Sequence, residues 1–425
     1  MSAFLSSRSF KATATAVTIL GASALILSGC ASDDSSSSGS TASDLSLKVG
    51  TILPQTGTLA VLGPPEIEAV NLAVSDINAA DAGISIDVEQ KDSGDTSTDL
   101  ATQSVTALLA DDVSAIIGAA SSSVSLSVID QIVAAQVVEI SPANTSPTFS
   151  DYDDDGYYWR TAPSDVLQGQ VLGQKIASDG ALTVSVLYDN NDYGIGLNTT
   201  VTDYLESQGI DVAADVTFDE GATDFGSAVT DVLAPDPDAL VVISYDELTA
   251  IAEQLASQDF DFSKLYGVDG NYGVIGPDDT NVDIAGAQFT NPGVQATDDF
   301  QASLLAQAEA DGLSDDDITV FSYAPESYDA TVLLALAALQ GGATDGTTIS
   351  ENLQSVSEDG TQCDTFSDCA GLIADGEDID YEGLSGPITF DENGDPSQAY
   401  VSIYKYTEGN ENEFEESQFG DLSAS

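Results

Sequence analysis

Five polar residues of this 425-residue chain fall at the ends of, or just after, short apolar runs, where an open parallel sheet would hold a ligand. Ser122 follows VSAIIG (113–118), Thr145 follows VVEIS (137–141), Tyr193 follows ALTVSVLYD (181–189), Tyr245 follows ALVVIS (239–244), and Asp269 ends KLYGVD (264–269). Helix starts at such strand ends direct unpaired N–H groups outward, toward where a ligand sits. Each residue also has an ordinary use: Ser122 as a helix N-cap, Thr145 as a turn residue before Pro147, the tyrosines as half-buried packing. Their shared location at strand ends favours a binding cleft.

Catalytic chemistry has less support. The chain has no histidine, so a Ser-His-Asp triad is excluded. GAASSSVS lacks the G-x-S-x-G elbow, and no lysine between Lys91 and Lys175 could serve Ser121–Ser123. There is no P-loop and no G-x-G-x-x-G after the first strand, and nothing singles out a glycosidase carboxylate pair. Asp151, Asp153, Asp155 and Gly156 open like a calcium loop, but its twelfth position is Ala162 where a bidentate Glu belongs. A solvated acidic loop is expected there. The expectation is a protein that is not an enzyme and uses neither cofactor nor metal.

Composition narrows the partners. Residues 1–30 carry Arg8 and Lys11, an apolar run to Leu27 and then LSGC, which reads as a secretory signal. Without them, six Lys and Arg face 72 Asp and Glu, a net charge of −66. No basic patch for nucleic acid can be assembled from five lysines and Arg160. A strongly hydrated surface stabilised by salt is expected instead. Leu27-Ser28-Gly29-Cys30 resembles the lipobox of bacterial lipoproteins, which implies lipidation of Cys30 and an anchor on the outer face of the cytoplasmic membrane. Residues 31–44, rich in Ser, Gly and Asp, read as a flexible tether. Cys363 and Cys369 in an exported chain read as a disulfide, with zinc the weaker alternative because histidine is lacking.

The elements that must position these groups alternate. Strand-like segments at 45–53, 84–90, 113–118 and 137–141 are separated by helical periods at 65–78, 97–110 and 122–136. The pattern restarts with helices at 165–179, 195–208, 223–233 and 246–258 between strands at 181–189, 210–218, 239–244 and 264–269. A strand near 285–290, helices near 296–311, 323–340 and 348–357, and strands at 385–390 and 399–406 follow. This predicts an α/β fold of two Rossmann-like lobes with parallel sheets, joined by several chain crossings.

VGTILPQTGTLAVLG, IIGAASSS, ISPANTSPTFS, YYWRTAPSDVLQGQ, NNDYGIGL, YDELTAIAEQ, GVDGNYG and ESYDATVLLALA together resemble the Leu/Ile/Val type of substrate-binding protein of ABC transporters, the type 1 periplasmic binding proteins. The resemblance spans nearly all of residues 45–406. It implies a monomer with lobe 1 at 45–162 and 288–398, lobe 2 at 163–287 and 399–418, and a tail at 419–425. It also implies capture of an amino acid and delivery to a permease, with Ser122, Ala143 and Thr145 at the carboxylate, Tyr193 approaching from lobe 2, and Tyr245 and Asp269 at the ammonium. Leu62 and Asn144 belong to the implied ligand-binding set. Leu62 stands where relatives often have an aromatic residue, Asn144 where alanine is common, and Asp269 where Glu is frequent, so side-chain specificity is left open. Ligands without an ammonium, such as urea, amides or aromatic acids, and a sensor role are the alternatives. For Arg160 the family position implies a structural ion pair near the lobe crossover.

Overall fold

The computed structural model describes residues 44–277, 281–314 and 317–422. Cys30 and the proposed signal and tether up to Ser43 lie outside the described residues. Five strands, β1 (Leu45–Leu53), β2 (Ile84–Asp92), β3 (Ala115–Gly118), β4 (Val138–Ser141) and β5 (Tyr158–Arg160), form a parallel sheet in the order β2-β1-β3-β4-β5. β-Branched and aliphatic residues line both of its faces. Helices Gly63–Ala80 and Ala324–Gly341 cover one face with Val70, Ile77, Leu333 and Leu336, and helices Leu100–Ala110 and Ser122–Ala134 cover the other with Val105, Leu108, Val124 and Val128. Burial on both sides explains why central β3 reads as a continuous apolar run, whereas β2 at the edge alternates.

A second sheet starts with β6 (Thr183–Asp189), β7 (Asp211–Phe218), β8 (Ala239–Ile243), β9 (Leu265–Gly267) and β10 (Gln288–Pro292). A small sheet of β11 (Thr361–Cys363), β12 (Ile379–Gly383) and β13 (Gly386–Pro387) precedes β14 (Gln398–Tyr406) and β15 (Asn412–Asp421). The second sheet has the order β15-β14-β10-β9-β8-β6-β7, antiparallel only across β10-β14-β15. Two α/β lobes therefore exist, as the alternation predicts.

The structure differs from the sequence reading at several boundaries. β10, assigned above to lobe 1, pairs with β9 and β14 in the second sheet, and Phe419–Asp421, read as tail, continue β15. The segment 385–390 keeps only a two-residue strand, because Pro387 offers no N–H to a ladder. The chain crosses between lobes after β5, after β10 and before β14, since Ala324–Gly341 packs on the first sheet although it follows β10. Cys363 and Cys369 form a disulfide that joins β11 to the helix Phe366–Asp375, neither of which has a clear period in the sequence.

Candidate functional site

The first lobe presents donors. β3 ends at Gly118 with φ +118°, and a Cβ there would stand 2.3 Å from Ile52 O, so only glycine lets β3 lie this close to β1. The chain then enters the helix Ser122–Ala134 through Ser121, whose side chain makes no cap bond. The first N–H bonded back is that of Ser125, to Ser121 O; among the described residues those of Ser122, Ser123 and Val124 find no acceptor. Ser122 Oγ accepts from Ser146 N at 3.3 Å and keeps its own proton free for a further partner.

The loop after β4 is pinned beside this helix start. Ser141 Oγ donates to Ala119 O at 2.7 Å and accepts from Asn144 N at 2.9 Å. The Asn144 amide donates to Ala119 O and Ala120 O and accepts from Tyr158 Oη at 3.0 Å. Arg160, wholly buried, forms a bidentate pair with Asp395 at 2.6 Å for each bond and donates to Asn144 O and Ser146 O. The only arginine beyond residue 30 is thus structural, tying the loop to a chain crossing, as its position implies.

The second lobe presents an acceptor. Asp269 opens a single 3₁₀ turn, Asp269–Asn271, rather than ending a strand. Asn271 holds this turn: its Oδ1 accepts from Val268 N, and its Nδ2 donates to Val242 O and Ser244 Oγ. Asp269 Oδ1 accepts from Tyr193 Oη at 2.7 Å and Gln168 Nε2 at 2.6 Å, and Oδ2 accepts from Tyr323 Oη at 2.5 Å. Tyr193 lies in the first turn of Asp192–Ser207, which Asn191 caps, and its ring stacks on Tyr245 with centroids 5.4 Å apart. Burial pushes all three phenols, Tyr193, Tyr245 and Tyr323, well up, so they stay protonated donors.

These groups converge where the lobes meet, around one cavity with a free volume of about 10 Å³, far below the roughly 300–1,000 Å³ of drug-sized sites. Its polar lining is Ser122, Thr145, Tyr193, Tyr245, Asp269 and Tyr323; Leu59, Leu62, Ala120 and Ala143 supply the apolar part, with Gly270 between. Of the residues expected at the ligand, the cavity omits only Asn144, whose amide is consumed by two carbonyls and Tyr158. Thr145 is there in an unexpected role. Its hydroxyl donates to Asp165 Oδ2 at 2.9 Å, so the side chain offers lone pairs rather than a proton. Asp165 is fully buried, and burial first and the Asp269 charge second hold its carboxyl well above the usual range. Tyr323, Leu59 and Ala120 escaped the sequence reading. Tyr323 stands just ahead of the ESYDATVLLALA helix, a position only its long-range contact distinguishes.

A charge-bearing acceptor from one lobe and unpaired donors from the other match the two ends of a small zwitterion, and the apolar wall matches a short side chain. Residues 66–409 match the family model described as the receptor family ligand binding region. The chain is 28% identical over 368 residues, 83% of its own length and 85% of the relative's, to the chemotactic signal transduction system substrate-binding protein BasB of Halobacterium salinarum. In structure it is similar to the leucine binding protein LivK of Thermotoga maritima, with a TM-score of 0.70 and 22% identity over 87% of this chain and 98% of that one. It is also similar to a solute binding protein of an ABC transporter from R. palustris in complex with 4-hydroxybenzoate, with a TM-score of 0.71 and 16% identity over 89% and 98%. The two-lobed architecture is that of the type 1 periplasmic binding proteins, and the chain belongs to the receptor family ligand binding region family.

Proposed function

We propose that the protein is an extracytoplasmic solute-binding protein that captures an α-amino acid with an apolar side chain, branched-chain amino acids among them, and delivers it to an ABC permease. The observation that carries this reading is the placement of Asp269 and the unpaired helix start at Ser122 on one small cavity. The ligand carboxylate takes the Ser122 hydroxyl and nearby N–H groups, where the helix dipole favours an anion. The ammonium takes Asp269 Oδ1 and Oδ2 and the lone pairs that Thr145 presents while bonded to Asp165. The side chain lies against Leu59, Leu62 and Ala120.

Lipidation of Cys30 would tether a monomeric binder to the outer membrane face through residues 31–44. A carboxylate ligand without an ammonium, like the one in the R. palustris complex, would leave Asp269 buried against it without a cation, which disfavours aromatic acids here. The likeness to BasB supports a second route for the bound amino acid, to a chemotactic transducer in place of a permease.

Calorimetry of the full chain against a panel of L-amino acids and 4-hydroxybenzoate tests the ligand class. Binding of apolar amino acids is expected, and a folded protein that binds none of them refutes the reading. A deletion strain that loses uptake supports the permease; loss of taxis with uptake intact supports the transducer.

A further inference from the structure

Apart from the cavity, two carboxylates bridge the lobes among the described residues: Asp192, whose Oδ2 accepts from Ser123 Oγ at 2.9 Å while its N–H donates to the same hydroxyl, and Glu220 at the cleft mouth. Glu220, in the loop after β7, accepts from Thr96 Oγ1 at 2.8 Å and from Thr58 Oγ1 at 3.4 Å. The threonines lie in the loops after β2 and β1 of the first sheet. On its own side Glu220 is held by Asn191 Nδ2 at 3.4 Å, which also donates to Asp189 Oδ2 at 2.8 Å. The next residue, Gly221, donates its N–H to Glu247 Oε1 at 2.9 Å, so the loop is fastened to the second lobe.

The charges acting most strongly here are all negative. Asp95, next to Thr96, faces Glu220 and Asp246 from the first lobe. Asp189, Asp219, Asp246 and Glu247 crowd the same place from the second. Burial and this mutual repulsion push Asp189 up to about 8 and Asp246 to about 6.

We propose that Glu220 is a positioning residue that helps to fasten the cleft mouth shut, and that counter-ions set how firmly it does so. Closing adds the two threonine hydrogen bonds to a carboxylate, which are charge-assisted. It also brings Asp95 against Glu220 and Asp246, a repulsion that operates across about 10 Å at 0.1 M salt and about 3 Å at 1 M. Raising the salt therefore removes the cost of closure and leaves its gain. In a chain of net charge −64 this makes ionic strength a control on how long a ligand is retained.

The inference rests on the two-lobed binding reading, but its test needs no ligand. The full chain carrying Cys30→Ser is spin-labelled through Gln103→Cys and Ser257→Cys, both exposed and on opposite lobes. Interlobe distances are then recorded by pulsed electron paramagnetic resonance from about 0.1 to about 3 M NaCl. The closed-to-open ratio is expected to rise about fivefold over that range. Asp95→Asn reaches the high-salt ratio already at low salt. Thr96→Val lowers the ratio about fivefold at every salt concentration while keeping the same salt slope. Distances that neither salt nor Thr96→Val moves overturn the proposal. L-Leucine added to the same samples reads the binding proposal separately: a protein that responds to salt but not to amino acids keeps this inference and loses that one.

Discussion

The phenol of Tyr323 donates to Asp269 Oδ2 at 2.5 Å, which connects the start of the Ala324–Gly341 helix, packed on the first sheet, to the carboxylate after β9 of the second. Tyr323 has φ 60°, a left-handed conformation uncommon for a bulky residue, and is almost wholly buried. Strain of this kind persists where the surroundings impose it, here by the hydroxyl bond at one end and the helix start at the other. Tyr323→Phe is expected to weaken amino-acid binding about tenfold, the worth of one hydrogen bond to a charged group. Titration calorimetry checks this, and affinity equal to that of the parent would make Tyr323 a packing residue only.

Asp269 is the one cavity-lining carboxylate and receives three donors. Asp269→Ala is expected to reduce α-amino-acid affinity by more than about 100-fold, since the ammonium is then buried without a counter-charge. Binding of a carboxylate-only ligand should be unharmed or improved in the same variant. Retained amino-acid binding would move the ammonium site elsewhere.

Ser122→Ala removes a hydroxyl proton from the helix start and a weak 3.3 Å acceptor from Ser146 N. A loss of affinity of about tenfold with a change in Tm of no more than about 3 °C is expected, because only the ligand uses the free proton. Equal affinity in the variant would make Ser122 a helix-start residue and nothing more.

Glu139, wholly buried on β4, has its carboxyl pushed up to about 8, first by burial, and Asp189 is pushed up to about 8 by burial and its neighbours Glu247 and Glu220. Carboxylates in the unfolded chain titrate near 4, so the folded state binds extra protons between those values. The resulting stability is present below about pH 4 and is lost as pH rises through about 8. Thermal unfolding in molar salt should therefore show Tm falling from about pH 5 to about pH 8. Glu139→Gln should flatten that fall and raise Tm at pH 8 by about 3 °C. A Tm that rises over this range would contradict the assignment.

The excess of Asp and Glu over Lys and Arg, −64 for the whole chain, predicts a Tm that climbs with NaCl as self-repulsion is screened. Scanning calorimetry from low to molar salt checks it. A flat or falling Tm would mean that the surface charges are neutralised locally.

Much of the architecture follows from local pattern. The apolar runs of β1, β3, β4 and β8 and the 3.6-residue period of Gly63–Ala80 and Ser122–Ala134 are each a few residues wide, and strand-end positions for Ser122, Thr145, Tyr193 and Tyr245 come with them. The missing histidine removes triad chemistry without any coordinates. Asp269 was legible as a candidate but not in its setting. Val268 N bonds the Asn271 side chain instead of a neighbouring strand, which ends β9 at Gly267 and turns the carboxylate into the cavity.

What the tertiary structure alone decided is how polar groups from distant segments satisfy one another. Asn144 and Thr145 are adjacent in sequence and both polar, yet the amide of one is spent on Ala119 O and Ala120 O while the hydroxyl of the other reaches both Asp165 and the cavity. Tyr323 lies 54 residues beyond Asp269, and the Arg160–Asp395 pair spans 235. No period or motif encodes such separations. Composition and periodicity determined the acidic, two-lobed frame, because burial of apolar faces is a local demand on sequence. Which hydroxyl donates, which carboxylate stays buried and which lobe each strand joins were decided by the crossings, because a hydrogen bond depends on where its partner's backbone arrives.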